Sequence, residues 1–409
     1  MDKNPRIRKG VAEILNVTGS LIDQVGPRLP GSEACIQAAK CLKKEFGKVC
    51  GKVYLNPFDQ YPGAFYYIPT LLVIIYSAGS VLYFFRGIFV HCASLIYIFG
   101  LFFFIHQFVF LGSFFDRFFR KAPGCNVIGI QKPQNEAKQQ VIICGHHDST
   151  RVCNFLEKRP SLYAFRIVIP VLFLCYAAVA SVVASVHMLA GVPSHGFYIV
   201  SLYIICFGFL FILPLLTFYA REGTPGAGDN LVSSVMCAGI AKYIRETKGA
   251  LRNTRLILLS TDGEEIGQKG SQAFLSHFKG EIETIKTYVL SMDSIYKEKD
   301  LAFLETERNG TIKMPGSLLK EAQLLSEKLG YSIKAKKIPV GGGGTDAGQF
   351  ARKSIETLSL IGISTKLIRK DICYHTSRDT VDNIEPEALE RAFEFLARFI
   401  LDKDNAVRI

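Results

Sequence analysis

Histidine and carboxylate side chains that can hold metal ions follow three apolar runs of this 409-residue chain. His146 and Asp148 follow the first run, Glu264 and Glu265 follow the second, and Asp293 follows the third. Imidazole nitrogens and carboxylate oxygens are zinc ligands, and paired carboxylates also serve acid–base chemistry. A single His or Asp after a strand is usually a cap or a surface group, so it is their joint occurrence that indicates a metal site.

Two more candidate ligands lie in other parts of the chain. Asp229 precedes a predicted helix in the stretch GAGDN. His375 lies in the loop sequence CYHTSRDTVDN, which also contains Tyr374 and Asp379. In open parallel sheets, ligands bind beyond the carboxyl ends of the strands. We therefore expect these groups to meet those that follow the apolar runs, at one edge of a sheet.

The pattern of elements predicts such a sheet. Amphipathic helical segments, such as GSEACIQAAKCLKKEFG and residues 385–401, alternate with strand-like runs. The strand-like runs are KVYLNPF, NVIGIQ, QVIICG, TRLILLS, TYVLSM and ETLSLIGI. This alternation favours an α/β fold with a mostly parallel sheet that helices cover on both faces.

Four apolar stretches are each long enough to cross a membrane. They cover residues 64–85, 88–115, 167–190 and 196–220, and none contains Asp, Glu, Lys or Arg. A spanning helix needs about 20 apolar residues, whereas a soluble helix of that length carries charges on one face. The sequence therefore predicts four transmembrane helices, which short connections pair into two hairpins.

The basic residues beside these stretches predict an orientation. Each hairpin enters the membrane and returns, so all soluble sequence lies on one side. The far turns carry only Arg86, whereas the flanks that face the soluble part carry Arg117, Arg120, Lys121, Lys158, Arg159, Arg166 and Arg221. The positive-inside rule then predicts that the soluble domain and both termini are cytoplasmic. Eleven scattered cysteines without a CxxC pair agree with a reducing compartment.

Composition favours a bilayer over nucleic acid as a partner. The net charge is +12, but the 31 Phe and 17 Tyr cluster in long uncharged runs. Without ionisable Asp, Glu, Lys or Arg in the spans, an ion or proton pathway is disfavoured. His106 and Gln107 lie inside the second span, where either a functional role or a hydrogen bond between packed helices is open.

Five ordered motifs resemble those of the M28 family of zinc aminopeptidases and carboxypeptidases. They are GHHDS, GAGDN, STDGEEIG–KGS, SMD and YHTSRDTVDN, and GPRLPGSEA and GGGGTDAGQF resemble further signatures. The resemblance implies a three-layer α/β/α zinc-exopeptidase domain with a mixed, mostly parallel sheet, two Zn²⁺ ions per chain and a peptide substrate. Soluble members have a short connection where this chain carries its second hairpin.

The resemblance also implies the metal ligands. His146 and Asp293 would bind one zinc, Glu265 and His375 would bind the other, and Asp229 would bridge both. Because residues alternate in direction at the end of a strand, the neighbouring His147 is expected to point elsewhere.

Other residues of the same motifs would support the reaction. Glu264 would take a proton from the attacking water and pass it to the leaving amine. Tyr374 is either a donor to the developing oxyanion or a packing residue. Asp148 would orient the first histidine ring, Asp379 would orient the loop of the second histidine, and Asp346 is expected to be structural.

The expected organisation is one cytoplasmic peptidase domain, built from residues 1–61, 118–160 and 222–409, with transmembrane hairpins at 62–117 and 161–221. The predicted function is a membrane-anchored di-zinc exopeptidase. An aminopeptidase is favoured, because no pair of arginines for a substrate carboxylate is evident. The alternatives are a glutaminyl-cyclase-like enzyme with one zinc, an inactive receptor or scaffold, and a transporter. The second hairpin leaves from the edge that bears the first histidine, so we expect the active site to lie near the membrane surface.

Overall fold

The computed structural model describes residues 4–339, 341–364 and 371–407. Its helices are α1 (Pro5–Val25), α2 (Glu33–Gly47), α3 (Gly63–Tyr66), α4 (Ile68–Phe85), α5 (Ile88–Phe104), α6 (Asn154–Lys158), α7 (Tyr163–Leu189), α8 (His195–Ile212), α9 (Val232–Lys248), α10 (Lys269–His277), α11 (Lys279–Thr284), α12 (Gly316–Lys328), α13 (Ala347–Ala351) and α14 (Pro386–Asn405). Its strands are β1 (Lys52–Gln60), β2 (Ala122–Gln131), β3 (Gln139–His146), β4 (Arg151–Cys153), β5 (Tyr219–Gly223), β6 (Thr254–Thr261), β7 (Lys286–Ile295), β8 (Ala302–Leu304), β9 (Thr306–Glu307), β10 (Ile312–Lys313), β11 (Lys334–Lys336) and β12 (Glu356–Gly362).

A mixed sheet forms the centre of the soluble domain. Within the described residues, eight strands pair in the order β1-β2-β6-β3-β7-β12-β8-β11. The central strand β3 is parallel to β6 and β7, and β7 is parallel to β12. Strands β1, β2 and β6 pair antiparallel at one side of the sheet. The predicted α/β fold with a mostly parallel mixed sheet is confirmed.

Alternate residues of the central strands enter two different apolar cores. Val141 and Ile143 of β3 belong to the core that contains residues of α1, α9 and α14. Ile142 and Cys144 of the same strand belong to the opposite core, with Phe274 of α10 and a residue of α13. This period of two follows from the pleat of a strand and produces three layers, helices–sheet–helices.

Both hairpins are inserted where two antiparallel strands meet. The first hairpin, α4 and α5, connects β1 to β2, and Gln60 and Ala122 at its two ends are paired residues. The second hairpin, α7 and α8, connects β4 to β5, in which Cys153 pairs with Tyr219. Because strand pairing already brings the ends of each insertion together, a helical hairpin fits there without disturbing the sheet.

The four hairpin helices are long and apolar enough to cross a membrane. The candidate spans are Ile68–Phe85, Ile88–Val109, Pro160–Leu189 and His195–Thr217. In the most apolar part of each span at most 39% of the residues are buried, so each span also presents apolar side chains outward. Outward apolar surface of this extent suits contact with lipid.

Polar contacts and small residues join the two hairpins into one bundle. The Tyr76 hydroxyl on α4 donates a hydrogen bond of 2.8 Å to the Ile205 carbonyl on α8. The Ser94 and Ser185 hydroxyls connect α5 to α7 at 3.0 Å. A Cβ atom at Gly208 would lie 2.2 Å from the Tyr76 hydroxyl, so the absence of a side chain permits the close approach of α4 and α8. Such contacts are typical of helix packing in membranes.

The second span ends earlier than the sequence pattern suggested. Helix α5 stops at Phe104 and continues as one wide π-helical turn, Ile105–Val109, and residues 110–115 are not helical. Gln107 lies in this turn and donates a hydrogen bond of 3.0 Å to Asp116 rather than to a neighbouring helix. The chain therefore turns back to the soluble domain here, which apolar composition alone does not reveal. The first span likewise starts at Ile68 rather than at residue 64, and β5 occupies the end of the last predicted stretch.

Candidate active site

The candidate ligands meet at one edge of the sheet. His146 is the last residue of β3, Asp293 lies near the end of the adjacent β7, and Glu265 follows β6 on the other side of β3. All three side chains are buried. Because these strands are parallel, their carboxyl ends lie at the same edge, as the sequence pattern predicted.

The first cluster consists of His146, Asp229 and Asp293. The Nε2 atom of His146 lies 3.3 Å from Asp229 Oδ1 and 3.6 Å from Asp293 Oδ2. The other ring nitrogen, Nδ1, lies 3.3 Å from Asp148 Oδ1 and 3.1 Å from the Asp148 carbonyl oxygen. Contacts of this kind hold the ring so that Nε2 faces the two carboxylates.

The second cluster shares Asp229 with the first. The Nε2 atom of His375 lies 3.2 Å from Asp229 Oδ2 and 3.2 Å from Glu265 Oε2. The two oxygens of Asp229 therefore face different histidines. The remaining oxygen of Glu265, Oε1, is buried and has no hydrogen-bond partner within the described part of the chain.

The composition of the two clusters fits divalent cations. In each cluster, one histidine and two carboxylates offer ligand atoms within 4.8 Å of one another. Burying several carboxylates together is costly unless cations or protons neutralise them. The unpartnered oxygen of Glu265 adds to this, since a buried acceptor without a donor suits a metal ligand. Imidazole with carboxylate is a donor set that zinc binds.

The pKa shifts of the carboxylates in and beside the two clusters also indicate that this buried site needs positive charge. Burial raises the pKa of Glu265 to about 7, although His375 opposes this rise. Burial also raises the pKa of Glu264 and of Asp293 well above their usual values. For Asp229, burial acts in the same direction, but hydrogen bonds from both histidines outweigh it and lower the pKa. Asp229 is therefore the carboxylate that this environment most strongly keeps ionised.

Asp148 also connects the first histidine to the loop of the paired glutamates. Its Oδ1 accepts a hydrogen bond from the backbone N–H of Glu264 at 3.3 Å, and its Oδ2 accepts one from that of Glu265 at 3.1 Å. One buried carboxylate thus positions a histidine, a candidate ligand and a candidate proton carrier.

Asp379 contacts the turn of Asp229. Its Oδ1 accepts a hydrogen bond of 2.7 Å from the N–H of Gly228, and its Oδ2 accepts one of 3.3 Å from the N–H of Asp229. Burial raises the pKa of Asp379 to about 8. The sequence-based expectation was that Asp379 orients the His375 loop; in addition, it connects that loop to the shared carboxylate.

Glu264 and Tyr374 lie beside the two clusters and line one cavity. The Oε2 atom of Glu264 lies 4.0 Å from His146 Nε2. The Tyr374 ring stacks on the His375 ring, with 3.7 Å between their centres and an angle of 17° between their planes. Asp346 accepts a hydrogen bond from the Thr261 hydroxyl, in agreement with a structural role.

Arg28 is a buried residue next to the candidate site that the sequence analysis did not single out. Its buried guanidinium donates three short hydrogen bonds, from Nε to the His147 carbonyl at 2.7 Å, from Nη1 to the Pro225 carbonyl at 2.8 Å and from Nη2 to the Gly226 carbonyl at 2.7 Å. It thereby joins the segment after β3 to the segment before Asp229. The GPRLPGSEA motif contained the signal, but nothing local predicted the partners of the arginine.

Ser294 was also missed, and His147 behaves as predicted. The Ser294 hydroxyl lies 3.2 Å from Asp229 Oδ1 and 2.7 Å from Asp293 Oδ1. His147 points away from both clusters, and its Nδ1 lies 2.8 Å from the Ser260 hydroxyl. The strand was expected to end at Met292, whereas β7 continues to Ile295, which explains why Ser294 was overlooked.

Comparison with known proteins gives one family model that matches part of the chain. The model described as peptidase family M28 matches residues 215–400. This range contains Asp229, Glu265, Asp293 and His375, and His146 lies upstream of it. No curated protein sequence matches the chain. The resemblance inferred from the motifs is confirmed.

Solved structures share the fold at low sequence identity. A zinc aminopeptidase from Bacillus subtilis has a TM-score of 0.56 at 12% identity, over 97% of this chain and 96% of its own. A Zn-dependent exopeptidase from Parabacteroides distasonis has a TM-score of 0.53 at 15% identity, over 98% and 99%. A glutaminyl cyclase from Bacteroides thetaiotaomicron, bound to N-acetylhistamine, has a TM-score of 0.55 at 12% identity, over 96% and 97%. These similarities establish the zinc-exopeptidase fold.

Proposed function

Because the model of peptidase family M28 matches residues 215–400, we propose that this chain is a di-zinc exopeptidase anchored in a membrane by two helical hairpins, and specifically an aminopeptidase. The main support for the proposal is the position of Asp229 between the two clusters. Its Oδ1 lies 3.3 Å from His146 Nε2, and its Oδ2 lies 3.2 Å from His375 Nε2. A carboxylate whose two oxygens face two different imidazoles can bind two neighbouring metal ions at once, which suits a two-ion site.

Each cluster would hold one zinc ion. His146 and Asp293 would bind the first ion, Glu265 and His375 would bind the second, and Asp229 would contact both. The ions would supply Lewis acidity to the scissile carbonyl and to the attacking water. Zinc is favoured over other divalent ions because the donors are imidazoles and carboxylates in a buried site.

The protein's own groups would position the substrate and move protons. Glu264 borders the cavity, and burial raises its pKa well above the usual value, so its carboxyl group is suited to accept a proton from water and to return it to the leaving nitrogen. Tyr374 stacks on the ring of the candidate ligand His375 and borders the same cavity, and its hydroxyl would donate a hydrogen bond to the substrate carbonyl oxygen. Asp148 and Asp379 would keep the ligands in place.

The charge of the cavity favours a substrate amine over a substrate carboxylate. Among the described residues that line it, the ionisable ones are Glu264, Glu265, Tyr163, Tyr219, Tyr374 and His375, and none is Lys or Arg. Glu264, which would bind neither zinc ion, could pair with an ammonium group, whereas no Lys or Arg among these described residues could pair with a terminal carboxylate. This supports an aminopeptidase rather than a carboxypeptidase.

A digest of a peptide library by the purified, zinc-loaded protein would test the proposal. We expect residues to be removed one at a time from free N-termini, no cleavage of N-acetylated peptides, and loss of activity after chelation that zinc reverses. Glu264→Gln should lower kcat about 10²–10⁴-fold while it retains zinc. The matched control is Glu283→Gln, on the exposed side of α11. Equal trimming by the Glu264 variant would remove this residue from its role.

The glutaminyl-cyclase alternative is tested by the same protein. A cyclase converts an N-terminal glutamine into a ring with loss of ammonia and removes no residue, and mass spectrometry distinguishes this product from a shortened peptide. We expect the shortened peptide, because two complete clusters are present. Cyclised product together with one zinc per chain would favour the alternative.

A further inference from the structure

One cavity connects the candidate catalytic groups to the ends of the four candidate membrane spans. Its volume is about 150 Å³, and Glu264, Glu265 and His375 border it on one side. The other side is apolar and is formed by residues of α4, α5, α7 and the segment after α8. These include Leu72, Phe104, Phe108, Ile167, Val171 and Leu215.

This apolar side extends into the candidate membrane spans. Leu72 lies one turn into α4, and Val171 lies about two turns into α7. At 1.5 Å per residue, the wall of the cavity therefore follows the helices for roughly 6–12 Å. The residues belong to the spans themselves and not only to the loops that join the spans to the domain.

The outer surface of the bundle at the same level is also apolar. Phe102 on α5, beside the cavity residue Phe104, is 53% exposed, and Val168 on α7, beside the cavity residue Ile167, is 51% exposed. In a membrane these outward side chains would contact lipid. Only the thickness of one helix therefore separates the hydrocarbon region from the interior of the cavity.

The soluble domain holds the apolar wall in position. Asn309 donates hydrogen bonds from Nδ2 to the carbonyl oxygens of Phe108, at 2.8 Å, and Val109, at 3.2 Å, in the π-helical turn that ends the second span. The same side chain accepts a hydrogen bond of 2.8 Å from the N–H of Gly343, which also lines the cavity. A wall held in this way is preorganised for binding.

We propose that the hairpins form part of the substrate site, and that the site receives the apolar N-terminal end of a peptide that lies in the bilayer. The proposal rests on the proposed aminopeptidase function. A cavity of about 150 Å³ with apolar walls can hold a benzene-sized group, so a terminal Phe or Leu side chain fits against the helix ends. The amine and the first peptide group would then lie at Glu264, Glu265 and His375.

In this arrangement, the carboxylate end of the cavity would bind the amine of the peptide, and the apolar end, at the membrane, would bind its first side chain. Hydrolysis adds one water across the first peptide bond and releases a free amino acid and a peptide shortened by one residue. The released side chain leaves the apolar wall, and the next apolar residue of the membrane-resident peptide takes its place.

Two tryptophan substitutions on neighbouring residues of α7 test whether the helices form the pocket. Ile167→Trp would fill the cavity, and Val168→Trp, which points outward, is the matched control. Substrates are two peptides in lipid nanodiscs that begin with Phe or with Ala and continue with the same apolar segment. We expect Ile167→Trp to lower the ratio of kcat/KM for Phe over Ala about 10-fold or more, and Val168→Trp to leave it unchanged.

Cleavage of the Ala peptide shows that a variant is folded and loaded with zinc. If Ile167→Trp fails this criterion, Ile167→Ala is tested in its place. Because this substitution enlarges the cavity, we expect it to raise the ratio of kcat/KM for peptides that begin with Trp over peptides that begin with Phe. An unchanged preference in the folded variant would overturn the proposal.

A second comparison tests the source of the substrate. Two peptides share the same first three residues, and one continues with an apolar membrane-inserting segment while the other continues with a charged, water-soluble segment. In nanodiscs we expect the membrane-inserted peptide to have a kcat/KM about 10-fold higher or more, because its end is already at the level of the cavity. Equal or faster cleavage of the soluble peptide would overturn the proposal. Absence of N-terminal trimming for every peptide would instead contradict the proposed function.

Discussion

At the scale of single residues, the candidate site depends on Asp229, whose two carboxylate oxygens face two different histidines. Each of its oxygens faces one imidazole. The Ser294 hydroxyl donates a hydrogen bond to this carboxylate, and Asp379 accepts one from the Asp229 backbone N–H. The two halves of the site are therefore separable, since His375 belongs to only one of them. This separation leads to a prediction about metal content.

His375→Asn should lower the zinc content from about two ions per chain to about one, because the first cluster keeps all its ligands. Activity should fall by about 10²-fold or more, since a two-ion site loses one ion. Inductively coupled plasma mass spectrometry after dialysis measures the zinc, and a peptide assay measures kcat/KM. Unchanged zinc content in this variant would show that His375 is not a ligand.

Glu307 allows a prediction about pH and stability. Its buried carboxylate accepts hydrogen bonds of 2.8 Å from the N–H and the hydroxyl of Thr345, at the start of α13. Burial raises its pKa to about 7 from an ordinary value of 4.5. Between these pH values the folded state binds more protons than the unfolded state, so this group makes the protein less stable as the pH rises from about 4.5 to 7.

Glu307→Gln should remove this dependence. The melting temperature of the variant, relative to that of the natural protein, should increase as the pH rises through this window and then level off above pH 7. The full difference is on the order of 3 kcal/mol. Scanning calorimetry at several pH values measures it, with the exposed Glu283→Gln variant as a control for loss of charge. A difference in melting temperature that does not vary with pH would contradict the prediction.

At the scale of elements, strand pairing attaches the hairpins to the sheet, and polar contacts attach the first hairpin to segments near the candidate site. The first hairpin is attached to the segment after β6 by a buried ion pair, in which Lys269 Nζ lies 2.7 Å from Asp116 Oδ2 and both side chains are 8% exposed. Lys269 is the first residue of α10 and closely follows the paired glutamates. This ion pair therefore connects the end of the first hairpin to the segment that follows the paired glutamates.

Lys269→Met should destabilise the protein by about 3–5 kcal/mol, because it leaves a buried carboxylate without its cation. Adding Asp116→Asn should restore part of that loss. Lys121→Met is the matched control, since its 2.7 Å ion pair with Asp59 is exposed to solvent and should contribute little to stability. Thermal unfolding in detergent measures all four proteins. Equal effects of the two lysine substitutions would exclude a special role for the buried pair.

At the scale of the whole molecule, the soluble domain lies at one end of the helix bundle, and the two short turns of the hairpins lie at the other end. Strand pairing returns both hairpins to the domain, so the first and last described residues lie on the same side of the helix bundle. Arg86 is the one Lys or Arg residue of the far turns, whereas basic residues are abundant beside the domain. From this distribution the positive-inside rule predicts a cytoplasmic domain, which we propose as the orientation of the protein.

Reporter fusions in a bacterial host test this topology. We expect green fluorescent protein at the C-terminus to fluoresce and alkaline phosphatase at the same position to be inactive, because the proposed orientation puts both termini in the cytoplasm. Phosphatase inserted after Val192, in the far turn, should be active and serves as the control. Active phosphatase at the C-terminus would contradict the proposed orientation.

Much of the candidate site could be predicted because its signals are local. His146, Asp293 and the paired glutamates each stand at a strand end, and a strand end is visible as the limit of an apolar run. The limits of the hairpins were less predictable. Apolar composition continues to residue 115, while the helix ends at Phe104, because distant residues such as Asn309 bond the carbonyl groups of the next turn.

The amino-acid sequence by itself determined the number of apolar spans, the alternation of strands and helices, and the residue types available as ligands, because each depends on neighbours in the chain. Only the tertiary structure decided that Asp229 faces two histidines, that Arg28 joins two segments beside them, and that the ends of the four candidate spans line the cavity next to Glu264. Those facts depend on distances between residues far apart in the chain, which packing of the whole fold establishes and local pattern does not encode.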